Sequence, residues 1–200
     1  MSAPIDFFFE FASPYGYLAS LRIDSIATAY EREVVWRPIM LGAAFKASGS
    51  VPNAQAPLRG PYFFHDVPRS ARLMDAPLVM PPTVPMNSLA ASRTYWWLFD
   101  ADQDIARGFA QALFQAHWGE GRDMSTADQV LEVAGTFGIG ADELRATLAD
   151  PAVKQRLKDK TDRAIAAGVF GSPYIIVDGE PFWGADRLDQ VERWLATGGW

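Results

Sequence analysis

Ser13-Pro14-Tyr15-Gly16 stands where the aromatic run Phe7-Phe8-Phe9-Glu10-Phe11 breaks into a helical pattern. A serine just before a proline that opens a helix is an N-cap. Its hydroxyl lies among unpaired backbone N–H groups, at a terminus that favours negative charge. Such a hydroxyl can also donate a hydrogen bond to an anion, and a small thiolate suits the position. A free thiol ionises near pH ~8.5. Each unit of lowering needs about 1.4 kcal/mol of preference for the thiolate. One charge-assisted hydrogen bond plus a helix terminus supplies about one to two units. Taken alone, Ser13 is more simply a cap, so its meaning depends on the residues that join it.

Two later stretches are candidates. Gly171-Ser172-Pro173-Tyr174 places a proline at the entrance of a short apolar run. A cis bond there leaves the Ser172 N–H and C=O for a peptide-like ligand, whereas an ordinary loop proline only stiffens an edge strand. Trp183-Gly184-Ala185-Asp186-Arg187 offers Asp186 as the cap of the last helix or as an acceptor for a ligand's ammonium group.

Several elements must hold these residues together. Ile5, Phe7, Phe9 and Phe11 have strand periodicity, a helix is expected from Pro14 to about Tyr30, and Glu33–Ile39 reads as a second strand. Such a βαβ unit is nearly always right-handed. Leu41 to about Pro57 reads as an irregular loop. Tyr62, Asp66 and Arg69 share helical spacing around Pro68, and the prolines of Pro77–Pro85 impose an extended chain. Helices are expected over Asn87–Asp100, Asp104–Trp118, the capped stretch from Ser125, Ala141–Leu148 and Pro151–Ala167. Tyr174–Val177 and Pro181–Trp183 then flank an Asp178-Gly179 turn before a final helix. Neither half has enough strands for a sheet of its own, so both must share one four-stranded mixed sheet. The expected class is α/β with a thioredoxin-like fold. Residues 1–40 and 168–200 form its discontinuous thioredoxin-like domain, and 41–167 a loop and all-helical insertion.

Composition narrows the chemistry. The chain of 200 residues has no cysteine, which excludes dithiol exchange and thiolate metal ligands. His65 and His117 are its two histidines, and no carboxylate cluster has ligand spacing, so no metal is expected. A net charge of -6 argues against nucleic acid. No apolar stretch reaches the ~18 residues of a membrane span. The opening Met-Ser-Ala-Pro lacks the features of a signal peptide, so a cytoplasmic location is expected. Without a G-x-S-x-G elbow or a paired base, Ser13 does not read as a hydrolase nucleophile. The stripe Tyr95–Phe99 reads as core or dimer interface, and Lys154, Arg156, Lys158 and Lys160 as a solvated helix face.

The strand leading into Ser13-Pro14-Tyr15, the later Gly171-Ser172-Pro173, and Trp183-Gly184-Ala185-Asp186-Arg187 resemble the 2-hydroxychromene-2-carboxylate isomerase family, which is related to kappa-class glutathione transferases. The resemblance extends over Tyr62, Asp66 and Arg69, the pair Met86-Asn87, and Trp118-Gly119-Glu120-Gly121. It implies a dimeric, cytoplasmic enzyme that uses glutathione as cofactor on a small aromatic carboxylate. Ser13 would hold the glutathione sulfur as thiolate, with Tyr15 nearby. Ser172, before Pro173, would pair with the cysteinyl part, and Ala185 and Asp186 would take the γ-glutamyl end. Lys46, Ser50 and Arg59 would bind the glycine end or the substrate carboxylate, and Asn87 and Trp118 would line the substrate cleft. For Trp118, a helix-ending turn is an equal reading. Ser50 stands where asparagine is expected, and Arg59 where lysine is common.

The resemblance implies thiolate addition to a conjugated double bond, rotation and elimination, which regenerate glutathione. A kappa-like transferase and a non-catalytic, peptide-binding thioredoxin-like module are the other readings.

Overall fold

The computed structural model describes residues 3–200. Strand β1 (Ile5–Phe9) lies inside a four-stranded sheet of order β2-β1-β3-β4, with β2 at Val34–Pro38, β3 at Tyr174–Val177 and β4 at Glu180–Trp183. β1 pairs parallel with β2 and antiparallel with β3, and β3 and β4 form an antiparallel hairpin. That hairpin turns on Asp178 and Gly179, at φ 52° and 92°, as an Asp-Gly turn requires. A strand covered on both faces is apolar at successive residues. Phe7 and Phe9 accordingly join the main core with Trp36, Tyr95 and Phe114, while Phe8 packs with Ile39, Ala164, Val169 and Tyr174 on the other face. The chain is thus a thioredoxin-like fold with a helical insertion, as its order of elements predicts.

Three local expectations are corrected. The first helix is two, α1 (Pro14–Ser20) and α2 (Ile23–Ala29). The Ser20 hydroxyl donates to the Tyr17 carbonyl at 2.6 Å and competes with the helical ladder at the break. The loop expected after Leu41 contains helix α3 (Leu41–Ser48), closed by Gly49 at φ 69°, and a 3-10 turn at Asn53–Gln55. The N–H of Leu41 donates to Glu10 Oε2 at 2.8 Å. The start of α3 is therefore satisfied by a side chain distant in sequence, which no local pattern announces. Helix α4 (Arg59–Leu73) continues through Pro68, forfeiting one ladder bond while burying Phe63, Val67 and Ala71 against the core side.

The insertion goes on with α5 (Leu89–Ala101), α6 (Gln103–Phe114) and a π turn at Gln115–Gly119, then α7 (Ala127–Gly135), α8 (Ala141–Ala149) and α9 (Pro151–Ala166). Tyr95 and Trp96 fasten α5 to the sheet. The Tyr95 hydroxyl donates to the Trp36 carbonyl at 2.7 Å, and the Trp96 indole to that of Pro38 at 3.0 Å. This aromatic stripe is core. The basic face of α9 is partly used as well, since Lys160 lies 4.6 Å above the Trp96 ring. The last helix, α10, spans Leu188–Thr197 and begins after a 3-10 turn at Ala185–Arg187.

Candidate active site

Ser13 caps α1, accepting the Gly16 N–H on its hydroxyl oxygen at 3.0 Å. The same hydroxyl donates to the Ser172 carbonyl at 3.0 Å. The Ser172-Pro173 bond is cis. The Ser172 hydroxyl in turn accepts the Glu10 N–H at 2.9 Å, and the Ser13 N–H donates to the Glu10 carbonyl at 2.9 Å. Glu10, Ser13 and Ser172 thus form one hydrogen-bonded corner where β1 ends and β3 approaches. Gly16 makes the corner possible, because a Cβ there would stand 2.8 Å from Ser172 Oγ.

The corner opens into a cleft of about 480 Å³, walled by the end of β1, α3, the loop after it, the start of α4, the segment Val84–Ser88 and Phe170–Ser172. That size falls within the roughly 300–1,000 Å³ of small-molecule sites. At its mouth Phe170 and Trp183 meet edge to face, 4.7 Å between centroids, both substantially exposed. Gly171 lets the indole lie that close, since a Cβ there would sit 2.1 Å from Trp183 Nε1.

Tyr15 also lines the cleft, but its hydroxyl is engaged by Asp66 Oδ2 at 2.6 Å. Arg69 closes on the same carboxylate, and Arg69 also donates to the Tyr62 hydroxyl at 2.9 Å. Burial and the bond to Asp66 push the Tyr15 phenol well above its ordinary value. Burial alone would raise Asp66 too, but bonds from Tyr15, Arg69 and Ser70 outweigh it and hold this carboxyl below the usual range. Tyr15 is therefore a neutral, anchored wall residue.

The chain matches the DSBA-like thioredoxin domain over residues 4–196. It is 30% identical to the 2-hydroxychromene-2-carboxylate isomerase of Sphingobium xenophagum, covering 98% of this chain and 99% of that one. The chain belongs to this isomerase family, within the DSBA-like thioredoxin domains. A solved 2-hydroxychromene-2-carboxylate isomerase superposes with a TM-score of 0.87 at 28% identity, over 97% of this chain and 95% of that one. Human glutathione S-transferase kappa 1 is 24% identical over 96% of this chain and 92% of its own.

The cleft of this isomerase-family chain gathers Ser13, Tyr15, Ser50, Arg59, Asn87 and Ser172. Other residues singled out in the sequence lie elsewhere. Pro173 is buried behind the corner, its carbonyl accepting the Gly184 N–H at 3.1 Å. Ala185 is buried in its 3-10 turn, and Asp186 faces solvent, 3.2 Å from Arg187. Asp186 does not cap α10, whose N-cap position is Arg187 without a side-chain bond. Lys46 is exposed in the last turn of α3 and does not line the cleft.

Trp118 is corrected outright. It is wholly buried and donates its indole N–H to the Phe11 carbonyl at 2.9 Å, away from the cleft. One further expectation changes, because the Ser172 carbonyl is already occupied by Ser13. Glu10, Phe170 and Trp183 are cleft residues that the sequence reading left out. An acidic residue inside an apolar strand was the signal available for Glu10.

Among the described residues no cluster of histidine and carboxylate side chains could hold a metal ion, and no helix is long and apolar enough to cross a membrane.

Proposed function

We propose that this chain is a glutathione-dependent isomerase that converts 2-hydroxychromene-2-carboxylate-type substrates into trans-o-hydroxybenzylidenepyruvate-type products during the breakdown of aromatic compounds. The observation that carries this reading is the pairing of the Ser13 hydroxyl with the cis Ser172-Pro173 corner, at the base of a cleft in a chain without cysteine. Relatives bearing the isomerase name align over almost the whole chain. Bound glutathione would supply a thiolate able to add reversibly to a conjugated double bond.

The residues present fit such a group. Ser13 offers one hydroxyl proton, which can turn from the Ser172 carbonyl to a sulfur. The Ser172 N–H has no acceptor among the described residues, and its carbonyl becomes available once Ser13 turns away. Both main-chain groups can then pair with a peptide-like ligand. With α1 only seven residues long, the hydroxyl is the larger stabiliser of the anion and the helix terminus the smaller one. Arg59, exposed at the cleft wall, would orient a carboxylate. Phe63 and Met40 give the substrate an apolar wall, and Phe170 and Trp183 an aromatic mouth. The reading includes a cytoplasmic homodimer, with the γ-glutamyl end of the ligand extending beyond the cleft lining to the Ala185 backbone and the Asp186 side chain.

Ultraviolet titration tests it. Adding reduced glutathione to the wild-type chain produces a thiolate band at neutral pH, and Ser13→Ala loses it. A wild-type chain that binds glutathione only as the neutral thiol, or not at all, contradicts the reading. A kappa-like transferase would share the band and differ in its product, a stoichiometric thioether.

A further inference from the structure

Glu10 is the acidic residue of the cleft lining, and it is 4% exposed. Its main chain is hydrogen-bonded to both serines of the corner. Its Oε2 accepts the Leu41 N–H, while Oε1 is buried with no partner in hydrogen-bond geometry among the described residues. A buried carboxylate oxygen without a donor is costly while charged and tolerable once protonated. Burial accordingly pushes this carboxyl up to about 7, against the lowering pull of the nearby Ser88 hydroxyl, of the bonded Leu41 N–H, and of the Ala12 and Phe11 N–H groups, of which Ser88, Ala12 and Phe11 lie outside hydrogen-bond geometry.

The neighbouring elements bring few charges to it. On α1 the titratable groups are Tyr15, engaged by Asp66 of α4, and Tyr17, whose hydroxyl donates to the Pro77 carbonyl; Arg59 at the start of α4 and Lys46 on α3 are both exposed. None of these is among the causes of the Glu10 shift. A thiolate held at Ser13 would therefore share a partly closed cleft with a carboxylate that lacks a compensating cation. Two such anions oppose each other's ionisation, and the cheaper state has one proton between them.

Resting on the thiol-binding reading above, we propose that Glu10 is the proton store of the thiol site. The S–H bond breaks beside Ser13, the proton ends on a Glu10 carboxylate oxygen, and it returns to sulfur when the thiol leaves. One S–H bond is exchanged for one O–H bond, the charge of the cleft is unchanged, and nothing is oxidised or reduced. Glu10 in this role is a proton-holding residue, and Ser13 remains the group that touches sulfur.

The test counts protons. Reduced glutathione is bound to the wild type and to Glu10→Gln at about pH 8, between the value of Glu10 and the roughly 8.5 of a free thiol. Thiolate is read in the ultraviolet, and exchanged protons by calorimetry in buffers of different ionisation enthalpy. Both proteins are expected to form thiolate, with Glu10→Gln releasing about one proton more per thiolate than the wild type. Equal release from the two overturns the proposal and leaves the thiol reading standing. Absence of thiolate in the wild type overturns both. Difference infrared spectroscopy of the wild type needs no variant. A protonated carboxyl band gained on binding supports the proposal, and its absence overturns it.

Discussion

The Ser13 hydroxyl donates to the Ser172 carbonyl oxygen at 3.0 Å, joining residues 159 positions apart. Under the proposed function this proton would serve two partners in turn, the Ser172 carbonyl in the ligand-free fold and a sulfur in the complex. Ser13→Ala removes that proton and the cap on Gly16 together. The cap costs about 1 kcal/mol, read as a lower urea midpoint. The bound thiol should titrate about one to two units higher than in the wild type, returning towards the free value. A pH titration of the thiolate band checks this.

Arg59 and Lys46 separate the two candidate carboxylate ligands, since Arg59 lines the cleft and Lys46 does not. A hydrogen bond to a charged group is worth about 1.5–3 kcal/mol. Arg59→Ala should therefore raise KM for the carboxylate substrate by about tenfold or more, with kcat changing less. Lys46→Ala should shift KM by less than about twofold, as expected of an exposed charge outside the site. Steady-state kinetics on the two variants decide it.

Trp118 is a core residue and Trp183 stands at the mouth of the cleft. Trp118→Phe leaves the buried Phe11 carbonyl without its partner, at a cost of about 1–3 kcal/mol in stability. Its KM should stay at the wild-type value. Trp183→Ala removes half of the aromatic pair at the mouth, where such pairs contribute about 0.5–1.5 kcal/mol. A substrate ring stacked on Trp183 would lose a contact of similar size, so its KM should rise about two- to tenfold, while loss of the Phe170 pair lowers the denaturation midpoint slightly.

Glu10 also marks the pH dependence of stability. Its folded value of about 7 lies above the ordinary 4.5, so between these values the folded chain binds more protons than the unfolded one. Its stabilising contribution is complete below about pH 4.5 and is lost as pH rises through about 7. Relative to Glu10→Gln, the wild type should lose up to about 3 kcal/mol across that window. Urea denaturation of both proteins at several pH values measures the difference.

The fold was legible because its determinants are local. The triple Phe7-Phe8-Phe9 marks a strand covered on both sides, and Asp178-Gly179 marks a hairpin. Proline and glycine bracket α9 closely enough that its expected span, Pro151–Ala167, differs from the observed helix by one residue. Helix α3 was hidden because the group that satisfies its first N–H is Glu10, supplied by β1. The division of α1 from α2 was hidden because it turns on which carbonyl the Ser20 hydroxyl selects.

In the site, residues fixed by a turn or a cap were found: Ser13 by its proline and Ser172 by the residue after it. Trp118 was misplaced because a tryptophan beside glycines reads alike in a core turn and in a cleft wall. Glu10 was passed over because, like Asp6, it falls on the alternate face of the period-two pattern, where an acid reads as solvent-facing. Its position depends on folding, which brings Leu41 and Ser172 to it.

Product analysis decides whether glutathione acts on this chain as a catalyst or as a consumed reactant. The wild-type chain is incubated with 2-hydroxychromene-2-carboxylate and a catalytic amount of reduced glutathione, and products are followed by nuclear magnetic resonance. Many turnovers to trans-o-hydroxybenzylidenepyruvate are expected, with the glutathione recovered unchanged and no acceleration when Ser13→Ala replaces the wild type. Consumption of glutathione into a stoichiometric thioether, or isomerisation at full rate without any thiol, would contradict the proposed function.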